Sequence, residues 1–203
     1  MNYIVLLSTV AYLLGSVNTA IVISKTLFKT DIRDRGSGNA GATNMLRVFG
    51  KRAGAVVFLL DFLKGLIAVS VARIVVLLSD APYECIFFAG FFAQLGHTFP
   101  LFFRFKGGKG VATAAGAAFG VMPAVTAVLL GFFALVVILT KTVSVASGIC
   151  AAVYPILAYF FANGNAVHNF IFAASCAVMI AVKHVPNIIR LLDGKENKIS
   201  TDT

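Results

Sequence analysis

Apolar residues fill most of the chain in stretches long enough to cross a bilayer as helices. A hydrocarbon core of about 30 Å needs about 20 helical residues. Six stretches come close to or exceed that length, whereas VATAAGAAFGVM at 111–122 is short and is followed by Pro123. The six longer stretches are approximately 3–24, 53–78, 83–103, 124–140, 143–162 and 165–182.

The positions of the basic residues decide how many of these stretches span the membrane, because loops rich in Lys and Arg stay in the cytoplasm. Fifteen of the 17 Lys and Arg residues lie between spans or after the last one. Seven helices with an outside N-terminus put all fifteen on the cytoplasmic side, whereas six helices do not. We therefore predict an all-α polytopic membrane protein of seven transmembrane helices, the fourth short, with a periplasmic N-terminus and a cytoplasmic C-terminus.

The composition agrees with a membrane protein, since 59% of the residues are hydrophobic and 12% are charged. The net charge of +9 would suggest a nucleic-acid partner in a soluble protein. Here the charge follows the predicted topology, so we expect no nucleic acid. No basic residue precedes Lys25, so the first span lacks the n-region of a cleaved signal peptide and is expected to be retained. We expect residues 1–203 to form one domain.

Three charged residues, Asp61, Lys64 and Arg73, lie inside the second apolar stretch. Charges within a membrane usually face the interior of a bundle or a cavity. Asp61 and Lys64 are spaced to pair on one helix face. The sequence leaves open whether this pair is structural or belongs to a site.

The first basic loop contains RGSGNAGATNMLR at 35–47. Its glycines satisfy G-x-G-x-x-G, but no strand precedes them, so we reject a dinucleotide site. Glycines still let successive backbone N–H groups surround an anion. The alternative is a well-capped turn between helices. Candidate phosphate contacts are Gly36, Ser37, Gly38, Asn39, Thr43, Asn44 and Arg47.

The second basic loop contains FKGGKG at 105–110 directly before the short helix. It is not a P-loop, because Lys109 is followed by Gly110 instead of Ser or Thr. Glycines, ammonium groups and a helix N-terminus nevertheless form a second candidate phosphate cradle. The alternative is a flexible basic loop that contacts anionic lipid heads. Its candidate residues are Lys106, Gly107, Gly108, Lys109 and Gly110, with His97 nearby at the end of the third span.

A third polar group flanks the end of the last span. His184 and Asn187 lie there, and Asn187 and Arg190 are three residues apart, so they share a face if this part is helical. A lone histidine at a membrane boundary is often structural, and that alternative stays open for His184.

Together, GSGNAGATNMLR, GHTFPLFFRFKGGKGVAT and HVPNIIRLLDGKE resemble the bacterial acyl-phosphate:glycerol-3-phosphate acyltransferases, the PlsY family. The likeness runs in order from Gly15-Ser16 to Glu196. It implies a seven-helix inner-membrane enzyme with its active site at the cytoplasmic face. The implied reaction transfers a fatty acyl group from acyl phosphate to the 1-hydroxyl of sn-glycerol 3-phosphate, giving lysophosphatidic acid and phosphate.

The resemblance also assigns residues. It implies that the Gly107–Gly110 loop holds phosphate and that Ser147 matches a serine of the family. Lys141-Thr142 departs from the family's Arg-Tyr, and Asn18 replaces a frequent proline, which puts local helix geometry in doubt. We expect catalytic roles for Ser37, Arg47, Lys109, His184 and Asn187. We expect substrate binding by Gly36, Gly38, Asn39, Thr43, Asn44, His97, Lys106, Gly107, Gly108, Gly110, Ser147 and Arg190.

The expected mechanism is direct attack by the glycerol hydroxyl, with His184 or a substrate phosphate oxygen as base. Phosphate is already a good leaving group, so binding and oxyanion stabilisation should supply most of the acceleration. We expect no metal or cofactor. The substrates, membrane lipid and the soluble enzyme that makes acyl phosphate are the expected partners. No histidine has an Asp five residues later, so the sequence lacks the motif of acyl-CoA-dependent enzymes. The alternatives are a small anion transporter and a noncatalytic scaffold.

Overall fold

The computed structural model describes residues 2–162 and 164–199, and this part of the chain is all-helical. Asn163, in the loop expected outside, lies beyond the described residues. Two short 3-10 helices, Ile32–Asp34 and Leu101–Phe103, lie in the basic loops. The α-helices are α1 (Tyr3–Ser16), α2 (Thr19–Leu27), α3 (Ala42–Leu78), α4 (Cys85–Thr98), α5 (Val111–Val121), α6 (Pro123–Thr140), α7 (Val143–Phe160) and α8 (Ala166–Leu192).

Six helical segments within the described residues are long and apolar enough to cross a membrane, with α1 and α2 together forming the first. The 11-residue α5 is apolar but shorter. These segments match the six long stretches found in the sequence, and α5 matches the short one. Seven spans and the orientation of the termini stay predictions.

Three span boundaries differ from those expected. The first span breaks after Ser16, because the Asn18 side chain accepts a hydrogen bond from the Ile21 N–H and starts a new helix. The second begins at Ala42 instead of 53, with Gly50 at φ 84° interrupting it. The last continues to Leu192 through Pro186, whereas we expected it to end near 182. Loss of one backbone hydrogen bond at proline is tolerated in membrane helices.

The described chain packs as two compact units, Met1–Val121 and Met122–Thr203. The first contains α1 to α5, and the second contains α6 to α8 with the tail. The prediction of one domain over 1–203 stays a prediction.

Glycines let the helices of the first unit approach closely. A Cβ at Gly15 would overlap the Ala93 carbonyl of α4, and one at Gly96 would overlap the Tyr12 carbonyl of α1. Small residues at such crossings are typical of membrane helix packing. In the same way, Gly116 of α5 lies against the backbone of α3. These contacts hold α4 and α5, between which the second basic loop runs, against their neighbours.

The first basic loop rests on a small apolar core. Ile21 of α2, Ile32 of the 3-10 helix, and Met45 and Val57 of α3 are fully buried in one cluster. Close packing of such side chains holds the flanking backbone in one conformation. The loop is therefore anchored at both of its ends.

The intramembrane charges are paired within the first unit. Lys64 Nζ lies 2.9 Å from Asp61 Oδ1, which confirms the expected pair. Arg73 Nη2 donates to the Gly120 carbonyl at 2.7 Å. A cation at the C-terminus of α5 compensates the negative end of its helix dipole. The contact gives Arg73 a structural role.

In the second unit, α7 and α8 pack against each other. Tyr154 and Phe172 meet edge to face with ring centroids 6.5 Å apart. After α8 the tail turns back, and the Ile199 N–H donates to the Lys141 carbonyl at 2.8 Å. This return brings the residues after Gly194 close to the start of α7.

Candidate active site

The first basic loop is shaped by one buried amide, that of Asn44. Its Oδ1 accepts from the Ser37 N–H at 2.9 Å, and its Nδ2 donates to the carbonyls of Ile32 at 3.2 Å and Arg35 at 2.9 Å. Asn44 is only 1% exposed. Both ends of the amide are engaged with the loop backbone, which favours a positioning role for Asn44 over the phosphate contact expected from sequence.

The candidate side chains of this loop lie around the start of α3. Gly36 and Gly38 adopt φ of 58° and 72°, and the Ser37 between them is exposed. Arg47 is exposed one turn into α3. The N–H groups and positive dipole end of a helix attract anions. Asn39 and Thr43 are half-buried beside them.

The second basic loop folds back under the end of α4. The Gly108 N–H donates to the His97 carbonyl at 3.2 Å, and Gly110 has φ 78° directly before α5. Lys106 is exposed and Lys109 is half-buried. The loop therefore places glycine backbone and two lysines directly before α5, and its role in binding phosphate stays a prediction.

The two loops, far apart in sequence, lie side by side in the first unit. Arg33 Nη1 donates to the carbonyls of Phe103 and Lys106, each at 3.2 Å. A Cβ at Gly108 would collide with the Ala40 carbonyl of the first loop. Asn18 Nδ2 also donates to that carbonyl at 3.2 Å. Two candidate anion cradles are thus joined by backbone contacts and one guanidinium.

Asp31 holds this guanidinium in place. Its Oδ1 accepts from Arg33 Nε at 3.0 Å and its Oδ2 from Arg33 Nη2 at 2.7 Å, which forms a bidentate pair. Lys25 Nζ lies 3.0 Å from the same Oδ2. The hydrogen bonds from Arg33 hold the pKa of Asp31 well below its usual value, against the opposing effect of burial. The pKa of Arg33 is raised in turn by Asp31.

In the second unit, His184 is buried on α8. Its Nδ1 lies 2.8 Å from the Ile180 carbonyl. A carbonyl oxygen can only accept, so Nδ1 carries the proton and Nε2 is the acceptor of the neutral ring. This tautomer suits an imidazole that receives a hydrogen bond or a proton from a hydroxyl.

Glu196 organises the polar residues beside His184. Its Oε1 accepts from Asn187 Nδ2 at 2.6 Å and from Ser144 Oγ at 2.8 Å, while its Oε2 accepts from Arg190 Nε at 3.0 Å. Burial alone would raise the pKa of Glu196. The hydrogen bonds from Asn187 and Ser144, with the charge of Arg190, hold that pKa below its ordinary value.

The expected residues thus fall into two groups. Ser147 is buried, and its hydroxyl donates to the Val143 carbonyl at 2.9 Å, so this bond serves its own helix. The first unit contains Gly36, Ser37, Gly38, Asn39, Thr43, Asn44, Arg47, His97, Lys106, Gly107, Gly108, Lys109 and Gly110. The second unit carries Ser147, His184, Asn187 and Arg190.

Sequence reasoning assigned no role to Arg33, Asn18 or Glu196. Glu196 is the last residue of HVPNIIRLLDGKE, so the sequence already showed an acidic residue close to Asn187 and Arg190. The spacing of Asp31 and Arg33 permits a local pair, but nothing in it indicates the carbonyls 70 or more residues away.

Comparison with known proteins gives consistent results. A family profile described as "Glycerol-3-phosphate acyltransferase" matches residues 5–194. A glycerol-3-phosphate acyltransferase of Thermoanaerobacter pseudethanolicus is 40% identical, over 99% of this chain and 98% of the relative. One from Chlorobium phaeobacteroides is 39% identical, over 97% and 96%.

Two solved structures are also similar. Both are described as PlsY (YgiH), an integral membrane glycerol 3-phosphate acyltransferase. The glycerol 3-phosphate form superposes with a TM-score of 0.88 at 39% identity, and the lysophosphatidic acid form with 0.85 at 38%. Each alignment covers 98% of this chain and 96% of the other.

Proposed function

Because the chain belongs to the glycerol-3-phosphate acyltransferase family and is an integral membrane enzyme of that family, we propose that its acyl donor is a fatty acyl phosphate. The acyl group passes to the 1-hydroxyl of sn-glycerol 3-phosphate, and the products are lysophosphatidic acid and phosphate. The solved relatives described with glycerol 3-phosphate and with lysophosphatidic acid support the acceptor and the product. The comparisons give no support to the anion-transporter alternative.

The observation that carries this proposal is the adjacency of the two cradles in the first unit. One substrate is a phosphomonoester and the other is an acyl phosphate, so two phosphate groups must be bound close together. Arg33 bridges the loops through the Phe103 and Lys106 carbonyls. Holding two reactants in position is itself a large source of rate acceleration.

Ser37, Arg47 and Lys109 are the proposed catalytic groups of the first unit. Arg47 offers a planar fork of donors, which suits the oxygens of a phosphate. Lys109 adds an ammonium at the N-terminus of α5, and Ser37 adds a hydroxyl on an exposed turn. These donors would stabilise the negative charge that develops on the acyl carbonyl oxygen.

His184 and Asn187 are the proposed catalytic groups of the second unit. The Nδ1–H of His184 is directed at Ile180, so Nε2 can accept the hydrogen of the attacking hydroxyl. Deprotonation then goes to Nε2 or to a substrate phosphate oxygen. A pH profile separates the two: if His184 is the base, His184→Gln abolishes the acidic limb of kcat, and otherwise the limb persists.

The donor assignment is tested with purified protein in detergent. Palmitoyl phosphate and glycerol 3-phosphate should give phosphate and lysophosphatidic acid in equal amounts. Palmitoyl-CoA in place of palmitoyl phosphate should give no product. Turnover with palmitoyl-CoA and none with palmitoyl phosphate would refute the proposed donor.

The cradles are tested by Ser37→Ala and Lys109→Ala, which should each lose most of the activity while the protein stays folded. Lys141→Ala is a matched control, because Lys141 is an exposed lysine outside both loops. Wild-type rates in both cradle variants would remove the proposed roles.

We also propose a bacterial inner-membrane location with seven spans and a cytoplasmic active site, where a soluble enzyme can deliver acyl phosphate. The test uses an impermeant thiol reagent on Asp80→Cys and Lys198→Cys. Seven spans place these residues on opposite sides of the membrane, with Lys198 in the cytoplasm. Labelling of both from the same side would indicate six spans.

A further inference from the structure

A buried polar cluster lies in the first unit, on the membrane side of the second basic loop. Asp61 is 1% exposed, Lys64 5% and His97 3%. Asp61 Oδ1 accepts from Thr19 Oγ1 at 2.7 Å and lies 2.9 Å from Lys64 Nζ. Charged groups buried at membrane depth are costly, and they commonly serve a function.

The three donors of the Lys64 ammonium each have an acceptor. Nζ lies 2.9 Å from Asp61 Oδ1, 2.9 Å from the Val17 carbonyl and 3.1 Å from His97 Nδ1. A lysine ammonium donates and cannot accept. His97 Nδ1 must therefore be the acceptor of the third bond, and the neutral ring carries its proton on Nε2.

The contact between Asp61 and His97 is weaker. Asp61 Oδ1 is 3.4 Å from His97 Nδ1, which is longer than its distance to Lys64. The shorter contact pairs the carboxylate with Lys64. With Lys64 as the ammonium, a neutral His97 accepts through Nδ1, and Lys64 sets its tautomer.

The Nε2 side of His97 faces the glycine loop. A Cβ at Gly108 would fall on His97 Nε2, and one at Gly107 would fall on the His97 carbonyl. The Gly108 N–H also donates to that carbonyl at 3.2 Å. The imidazole and backbone of His97 thus form the surface against which Gly107 and Gly108 lie.

We propose that Asp61 and Lys64 are positioning residues, which hold His97 as its Nε2–H tautomer behind the Gly107–Gly110 loop and thereby set the shape of the phosphate cradle. The inference rests on the proposed function only in treating this loop as a phosphate cradle. It also gives His97 of the first unit and His184 of the second opposite tautomers. Nε2 of His97 is a donor, whereas Nε2 of His184 is an acceptor.

The first test measures the tautomer of His97 by NMR, with no change to Asp61 or Lys64 and no measurement of enzyme activity. The chain has three histidines, so 15N-histidine labelling gives few signals, and His97→Gln identifies that of His97. The expected wild-type spectrum has a protonated Nε2 and an unprotonated Nδ1. A protonated Nδ1, or an imidazolium, would overturn the proposal.

The second test replaces the ion pair by apolar residues of similar size, Asp61→Leu with Lys64→Met. Removing both charges avoids the unpaired buried ion that either single change would leave. We expect a folded protein in which the His97 signals shift to a mixture of tautomers. Affinity for glycerol 3-phosphate or for inorganic phosphate, measured by calorimetry without acyl donor, should fall about 10-fold to 100-fold. Wild-type affinity and an unchanged tautomer would refute the positioning role.

Val69→Ala is the matched control, because Val69 is fully buried on the same helix and lies against Gly120 near the other end of α5. It should lower stability without changing the His97 signals or phosphate affinity. An equal loss of affinity in this variant would show a general packing effect and overturn the proposal.

If the double variant does not fold, two substitutions of His97 provide a third test. The amide nitrogen of Gln reaches the place of Nε2, whereas that of Asn reaches the place of Nδ1. His97→Gln should therefore retain more phosphate affinity than His97→Asn. The reverse order, or equal affinities, would contradict a donor at Nε2.

These outcomes are separable from the proposed function. A protein that makes no lysophosphatidic acid but has the Nε2–H tautomer, and loses phosphate affinity in the double variant, refutes the acyl transfer alone. An active enzyme with the other tautomer refutes only the positioning role.

Discussion

Glu196 should stabilise the second unit far more than an ordinary tail carboxylate, and its removal gives a quantitative test. The carboxylate accepts from Ser144, Asn187 and Arg190. Hydrogen bonds to a charged group contribute about 1.5–3 kcal/mol each. The Arg190 side chain is 36% exposed, so solvent screening reduces its contribution to less than about 1 kcal/mol. Glu196→Ala should therefore cost about 3–7 kcal/mol.

Glu196→Gln should cost less, about 1–2 kcal/mol, because the amide oxygen still accepts while the charge is lost. Thermal unfolding in detergent micelles measures both. Both variants should also lower kcat/KM at temperatures where they stay folded, since Asn187 loses its fixed position. Asp193→Asn, an exposed neighbour on the same tail, is the control and should behave as wild type.

The pH dependence provides a further check. The pKa of Glu196 is lower in the folded protein than in the unfolded chain, so the unfolded chain takes up protons first as the pH falls. The stabilisation is complete above the unfolded pKa, near 4, and is lost as the pH falls through the lower folded value. Glu196→Gln should flatten this loss. Wild-type stability and kcat/KM in Glu196→Ala would refute the reasoning.

Three further changes test the first unit. Gly108→Ala should lower the rate of phosphate release about 100-fold or more, because the added Cβ falls on His97. Gly131→Ala is the control and should be neutral in this assay, because a Cβ at Gly131 has nothing within 4 Å. Arg33→Met removes the donor to the Phe103 and Lys106 carbonyls, and it should raise the KM of the phosphate substrates more than it lowers kcat. An unchanged KM would argue against a role of Arg33 in joining the two loops. Asn44→Asp places one carboxylate oxygen against the two carbonyls that Asn44 Nδ2 donates to, and it should make the first loop sensitive to limited proteolysis. A protease-resistant variant would contradict the positioning role.

The arrangement separates the shaping of the loops from the binding of substrate. Asn44 and His97 are buried and contact loop backbone, whereas Ser37 and Arg47 are exposed. Buried polar groups that are fully hydrogen-bonded hold a unique conformation. Loops with this much glycine need such supports, because glycine restricts the backbone least.

Much of the fold followed from local pattern. Apolar length located every long span, since a membrane helix must satisfy its own backbone hydrogen bonds and cover them with apolar side chains. Two of the three boundary errors occurred where one side chain or one proline decided the outcome. Asn18 started a helix inside an apolar stretch, and Pro186 did not end one.

The sequence by itself determined that the chain is a membrane protein, which loops carry the glycines and basic residues suited to binding phosphate, and which family it resembles. These conclusions depend on residue type and short spacing, which are properties of the linear chain. Only the tertiary structure decided which atoms each polar group contacts. It joined the loops through Arg33, tied the tail to α7 and α8 through Glu196, and placed His97 Nδ1 against Lys64 and His184 Nδ1 against the Ile180 carbonyl. Such contacts link residues up to 73 positions apart, and their geometry depends on how the helices pack.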